Sequence, residues 1–346
     1  MEVLVLEENG RIVHKEVPVP EKPREDALLC RVAASGICNS DIHRGFGGGA
    51  YHYPLIMGHE FSAVIEDSGA STRYKEGDRV TVFPLLPCKK CGPCQAGEYA
   101  QCINYDYFGS RRDGAFAEYV WVPEENLFPI PEHVEMLHAA MTEPAAVALH
   151  GVRRMEIKAG YTGAVFGGGP IGNMVAQWLR ISGCSEVFVI DIESRKLETA
   201  SSMGFIPVDA SADDPVNPIF GRTNGGGADC VVEAVGLPKT FLQAVQCAAR
   251  AGQVVFLGNI IGEFRIGEKD FSSILRRELV IRGTWNSKVL PRGKDDWTTV
   301  LSYMDRGLDV APLISHTPPF SEGPEIFSKI TKKEEYFSKV IFIPER

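Results

Sequence analysis

Apolar and polar positions along this chain follow two different rhythms. From residue 1 to about residue 35 the apolar positions come in short runs, at 3–6, 11–16 and 27–33, with Pro18, Pro20 and Pro23 breaking the middle. Runs of that length bounded by turn residues predict strands, and a further strand is predicted to end near Val122. Beyond residue 133 the period changes. Residues 133–155 read as helix, 164–166 as a short buried strand, and helical spacing returns at Met174, Val175, Trp178 and Leu179 before Gly183 stops it. The alternation continues with a strand at 187–190, a helix at 196–203, a weak strand at 206–208 and a strand at 228–233. It runs on through a helix at 238–250 and strands at 253–258 and 280–283. Such a series predicts a parallel sheet with right-handed crossovers. The tail is mixed, with a helix near 297–306 and short strands at 313–316 and 339–343.

The turn between the first strand of that series and its helix carries G-x-G-x-x-G at Gly167, Gly169 and Gly172. The first glycine permits the tight turn, the second lets backbone approach a pyrophosphate, and the third lets helix and strand pack closely. Pro170 and Ile171 open the helix, whose free N–H groups and dipole favour an anion. Asp191 ends the next strand about twenty residues on, placed to accept hydrogen bonds from both ribose hydroxyls, with Arg195 beyond it assigned to the cofactor too. A carboxylate there repels a 2′-phosphate, so NAD is expected rather than NADP. A lone glycine fingerprint also describes an ordinary glycine-rich turn; the ordered strand, helix, strand and terminal Asp argue for the nucleotide.

Length and charge narrow the class. With 346 residues the chain is long for one core, so two domains are expected, 150–292 for the nucleotide and 1–149 with 293–346 for the rest. A net charge of −9 argues against nucleic acid. Without a long apolar run or a signal-like N-terminus, neither a membrane span nor secretion is expected, and the cytoplasm is the simplest location. Nine cysteines are then expected as thiols or metal ligands.

Four of them, Cys88, Cys91, Cys94 and Cys102, fall within one short polar stretch and can wrap a tetrahedral ion with no position left open, which is a structural zinc site. A disulfide pair or an iron–sulfur site are the other readings. Cys38 stands among Ser40, Asp41 and His43, and His59 beside Glu60, so thiolate, imidazole and carboxylate suit a catalytic zinc. Glu143 is an acid in an apolar helix and needs a partner. Arg111 and Arg112 read either as a receptor for phosphate or as an exposed pair beside Asp113.

Gly36-Ile37-Cys38-x-Ser40-Asp41, Gly58-His59-Glu60, the four-cysteine lobe and the glycine fingerprint occur in an order that resembles the zinc-dependent medium-chain dehydrogenase/reductase family over essentially the whole chain. Leu85-Leu86-Pro87-Cys88, residues 105–114 and Leu275-Arg276-Arg277-Glu278-Leu279 are most similar to its polyol dehydrogenase branch. The resemblance implies an α/β fold: a Rossmann doubly wound parallel sheet plus a β-rich GroES-like catalytic domain with a structural zinc lobe, cofactor and metal meeting in the cleft between them. It implies catalytic zinc on Cys38 and His59, with Glu143 in the place where alcohol dehydrogenases carry another cysteine, and Glu60 a nearby catalytic carboxylate that can approach the metal or orient its water, so either glutamate can be the one bound. Ser40 matches the hydroxyl that contacts the substrate oxygen, and His43 the outer histidine of a proton relay. The implied reaction is NAD-dependent oxidation of a secondary alcohol on a polyol phosphate, specifically galactitol 1-phosphate to a ketose phosphate (tagatose 6-phosphate), in a homodimer or homotetramer holding two zinc ions per chain. Sorbitol, xylitol or threonine are the neighbouring substrates. A non-catalytic nucleotide-binding protein is the remote alternative, opposed by the Cys38, His59 and Glu143 set, whose open fourth position serves no structural purpose.

Overall fold

A computed structural model describes residues 1–290 and 293–345, so the domain boundary expected at residue 292 falls outside the described residues. The chain divides into two compact units, Met1–Pro144 with Lys288–Arg346, and Ala145–Ser287.

In the unit Ala145–Ser287, six strands form one sheet in the order Ile206–Asp209, Glu186–Asp191, Thr162–Phe166, Ala228–Glu233, Ala248–Phe256, Val280–Gly283. Every neighbouring pair is parallel. The central strands bury Ala164, Val165, Phe166, Phe188, Val189, Ile190, Val231 and Val232 on both faces, as a sheet covered by crossover helices requires. The chain steps outward from Thr162–Phe166 through two strands, then returns to place Ala228–Glu233 on its other side. That reversal of strand order leaves a crevice at the carboxyl ends, the usual ligand position of such sheets.

In the other unit, Ala27–Gly36 is the central strand. It pairs antiparallel with Glu60–Asp67, Tyr119–Pro123 and the C-terminal Lys339–Phe342. The strands Glu2–Glu8 and Arg11–Glu16 form an antiparallel hairpin. One apolar cluster gathers Val32, Phe61, Val80 and Val122, and another joins Leu4, Phe116, Phe327 and Phe342 from both ends of the chain.

The elements depart from their expected bounds in several places. The helix expected over 133–155 is two helices, Met136–Ala139 and Thr142–Val152. Pro144 has no N–H for the Ala140 carbonyl, so a single helix cannot run through it, but proline is tolerated in a first turn. The helix expected to 250 ends at Cys247, where the Arg277 guanidinium donates to the carbonyls of Val245, Gln246 and Ala248. Helices Asn39–Phe46 and Gly323–Lys332 form in stretches not expected to be helical. Among the described residues no helix is long and apolar enough to cross a membrane.

Candidate active site and nucleotide-binding loop

Cys38 ends the link from the central strand and caps the helix Asn39–Phe46, where its N–H donates to Asp41 Oδ2 at 3.0 Å. His59 and Glu60 lead into the strand Glu60–Asp67, whose first residue pairs with Gly36. Strand pairing therefore brings the two motifs together, and the donor atoms of Cys38, His59 and Glu60 lie within 4.8 Å of one another. The turn before His59 is tight. Gly58 has φ +92°, and a Cβ on Gly114 would lie 2.0 Å from the Gly58 carbonyl oxygen.

Asp41 is fully buried; its Oδ1 accepts from Arg44 Nη1 at 2.7 Å and lies 3.5 Å from His59 Nδ1. Burial works against a charged imidazole, but the Asp41 carboxylate and the Cys38 thiol outweigh it and hold His59 well above its ordinary range. A carboxylate behind a ring nitrogen fixes the imidazole's orientation for a metal on the other side.

Glu143, expected as the third ligand, stands outside that converging set of donors. It is buried, and its Oε1 accepts from the Tyr107 hydroxyl at 3.2 Å. Burial pushes its carboxyl up to about 7, with His59 opposing and Glu60 adding to the rise. Glu60, expected as a nearby carboxylate able to approach the metal, supplies the third converging donor and forms an ion pair with the buried Lys339. Ser40 and His43 are both exposed on the helix Asn39–Phe46.

Tyr107 and Lys339 were missed by the sequence reading. Tyr107 stacks edge-on to His59, with ring centroids 5.6 Å apart, and to Tyr105 at 6.3 Å. A lysine opening an otherwise apolar strand, Lys339-Val340-Ile341-Phe342, was the available signal for the second.

The two arginines separate. Arg111 is exposed, its guanidinium 4.4 Å from the Tyr105 ring and 4.6 Å from the Tyr51 ring, and Nη2 donates to the Tyr51 hydroxyl at 3.4 Å. Arg112 donates through Nε to Asp106 at 2.7 Å and lines a groove of 510 Å³ with Pro18, Pro20 and Trp121.

The four sulfurs of Cys88, Cys91, Cys94 and Cys102 also lie within 4.8 Å of one another. They are free thiols, Cys91 Sγ being 3.9 Å from Cys102 Sγ, against about 2.05 Å for a disulfide. The Lys90 N–H holds Cys88 down at about 6 and the Ile103 N–H lowers Cys91, whereas burial pushes Cys94 up to about 12. Both donor sets fit zinc, whose bonds of roughly 2.0–2.3 Å keep its ligands this close together.

In the other unit, the fingerprint loop is built as its glycines require. Gly167 has φ +104°, and a Cβ on Gly172 would lie 1.7 Å from the Gly167 carbonyl oxygen. A Cβ on Gly169, at the cap of the helix Pro170–Ser182, would meet nothing within 4 Å, so the backbone N–H groups at this helix start have an open side of the kind that suits an anion. Ile171 lies in the first turn of that helix. Asp191 Oδ2 accepts from Gly168 N at 2.8 Å and from Lys196 Nζ at 3.3 Å, and Oδ1 accepts from the N–H groups of Ile192 and Glu193. The carboxylate expected to bind ribose thus also ties the loop to the second strand. Arg195 is exposed, and its neighbour Lys196 reaches Asp191.

Residues 24–132 match the family described as the alcohol dehydrogenase GroES-like domain, and residues 170–306 the family described as zinc-binding dehydrogenase. The chain is 32% identical to galactitol 1-phosphate 5-dehydrogenase of Escherichia coli strain K12, over 99% of this chain and 100% of that protein. It is 30% identical to L-threonine 3-dehydrogenase of Bacillus velezensis, over 99% of both. The crystal structure of galactitol-1-phosphate dehydrogenase from Escherichia coli matches with a TM-score of 0.93 over 99% of this chain and 100% of that one, at 32% identity. A zinc-binding dehydrogenase from Sinorhizobium meliloti, solved bound to NADP, matches with a TM-score of 0.89 at 33% identity over 99% of both chains. With a GroES-like unit carrying the converging Cys38, His59 and Glu60 and a Rossmann sheet carrying the glycine loop, the chain belongs to the zinc-dependent medium-chain dehydrogenase/reductase family of oxidoreductases.

Proposed function

We propose that this enzyme oxidises a secondary alcohol of a polyol phosphate with NAD⁺, converting galactitol 1-phosphate to the ketose phosphate tagatose 6-phosphate. The observation that carries the phosphate is Arg111, held between Tyr51 and Tyr105 in the same unit as the Cys38–His59 site. Those rings hold the guanidinium in place, so less freedom is lost when it grips an oxyanion. Arg112, engaged by Asp106, plays the smaller part.

Cys38, His59 and Glu143 would hold the catalytic zinc, with the converging Glu60 as the alternative to Glu143, and Cys88, Cys91, Cys94 and Cys102 would hold a structural one. When bound, the catalytic ion would supply a Lewis acid that lowers the pKa of an alcohol, and the nicotinamide would supply the hydride acceptor. The chain's own residues do the rest. Asp41 orients His59. Ser40 Oγ receives the alcohol proton, and His43 or Glu60 carries it away. Gly167, Gly169, Pro170, Ile171 and Gly172 cradle the diphosphate, and Asp191 with Arg195 and Lys196 addresses the ribose. Asp191 favours NAD over NADP. The free thiols accord with a cytoplasmic protein, and the outer strand Val280–Gly283 supplies an edge for a homodimer or the core of a homotetramer.

The test is reduction of NAD⁺ and of NADP⁺, followed by absorbance. Galactitol 1-phosphate, galactitol, sorbitol, xylitol and threonine are compared, with and without chelator. Preference for the phosphorylated polyol, lost on chelation, is expected. Arg111→Gln should lower kcat/KM for it by about tenfold to a hundredfold, on the order of 1.5–3 kcal/mol for a charge-assisted contact, and leave neutral polyols alone. Preference for threonine or a neutral polyol would discard the phosphate. Asp191→Ala should weaken NAD binding far more than it changes zinc content; equal loss of both would remove Asp191 from the ribose role.

A further inference from the structure

The helix Pro170–Ser182 is buried without a break from Gly172 to Leu179, and Asn173 is the first polar side chain in that run. A buried amide costs stability unless its polar atoms find partners. Here one end finds them and the other does not. Nδ2 donates to the Gly168 carbonyl at 2.6 Å and to the Gly169 carbonyl at 3.3 Å, whereas Oδ1 has no partner among the described residues. The amide therefore contributes through its N–H groups, and both go to the glycine loop.

Those bonds set the direction of one peptide group. The Gly168 N–H donates to Asp191 Oδ2 at 2.8 Å, and the Gly168 carbonyl is taken by Asn173. The peptide from Gly168 to Gly169 is trans, so its C=O and its N–H point in opposite directions. With the carbonyl drawn towards the helix, the Gly169 N–H is turned away from it, and it has no partner among the described residues. Pro170 offers no N–H at all, so Gly169 is the donor this helix start presents ahead of Ile171. We infer that Asn173 is a positioning residue that aims the Gly169 N–H at the diphosphate of the dinucleotide. This rests on the nucleotide reading proposed above and holds for NAD and NADP alike, since both carry the diphosphate.

The experiment titrates the whole protein with ADP-ribose, which carries the diphosphate, and with adenosine, which lacks it, and reads both affinities by calorimetry. Asn173→Leu keeps the side-chain volume and removes both donors. ADP-ribose should then bind roughly tenfold more weakly, the scale of one hydrogen bond to a charged group, while adenosine binds as it does to the wild type. Asn173→Ser should behave alike, because a helical serine bonds the carbonyl four residues back, that of Gly169, and leaves Gly168 unheld. It decides the matter where Asn173→Leu does not fold. A folded variant with wild-type affinity for ADP-ribose overturns the inference. So does equal weakening of both ligands, which would mean a loosened pocket rather than a misdirected N–H. Wild-type protein that binds no ADP-ribose defeats the nucleotide reading itself and this inference with it.

Discussion

Glu233 is buried at the end of the strand Ala228–Glu233 with its two oxygens in unequal surroundings. Oε1 accepts from the N–H groups of Val235 and Gly236 and from Thr240 Oγ1, whereas Oε2 has no partner among the described residues. Burial raises its carboxyl above the ordinary 4.5, the three hydrogen bonds opposing only in part. A carboxyl raised on folding is most favourable to the folded state below its unfolded pKa. That contribution is lost as pH climbs through the higher folded value. Glu233→Gln keeps the acceptor and removes the ionisation. Its melting temperature should therefore gain on the wild type as pH rises from about 4.5 towards 8, and the two should converge below that range. A constant difference at all pH values would mean that the carboxyl does not titrate differently on folding. The loop held by Oε1 leads to Val235, whose Cγ2 would lie 3.1 Å from a Cβ on Gly167, so this residue supports the wall of the nucleotide loop.

At the scale of elements, two pieces depend on a partner outside themselves. The helix Pro238–Cys247 ends on Arg277, which takes carbonyls that have no partner inside the helix. Arg277→Ala should cost roughly 2–3 kcal/mol in unsatisfied acceptors, a fall in Tm of about 4–10 °C for a unit of this size. An unchanged Tm would show that water replaces the guanidinium freely. The lobe spanning Cys88 to Cys102 contains only two short helices, Gly92–Gln95 and Tyr99–Gln101. A lobe with so little regular structure would rely on the proposed zinc for its shape. Cys94→Ser should lower zinc content by about one ion per chain, leaving the set of Cys38, His59 and Glu143, and should open the lobe to proteases. Full zinc content in that variant would refute a four-thiolate site.

For the whole molecule, the open feature is the outer edge of the parallel sheet. Val280–Gly283 is its last strand, with Val280 and the nearby Trp285, 56% exposed, at the surface. Exposed apolar edges invite pairing with another chain. The proposed dimer predicts that Trp285→Glu lowers the mass measured by sedimentation towards that of a single chain. Wild-type protein that sediments as a monomer would eliminate the dimer.

Local spacing was enough to read what depends on neighbours along the chain. The glycine loop, the four-cysteine lobe and the βα alternation each lie within a short stretch, and their residue types are dictated by backbone geometry or metal chemistry. Cys38 and His59 were legible for the same reason, each inside a compact polar motif. Tertiary structure decided the rest. Which carboxylate stands beside Cys38 depends on how Gly36 pairs with Glu60 and how Lys339 returns to the Ile37 carbonyl, 302 residues away in sequence. Tyr107 finds Glu143, Arg111 parts from Arg112 between two tyrosines, and Lys196 turns to Asp191. No periodicity encodes such meetings, because strand pairing and side-chain direction set them once the chain has folded.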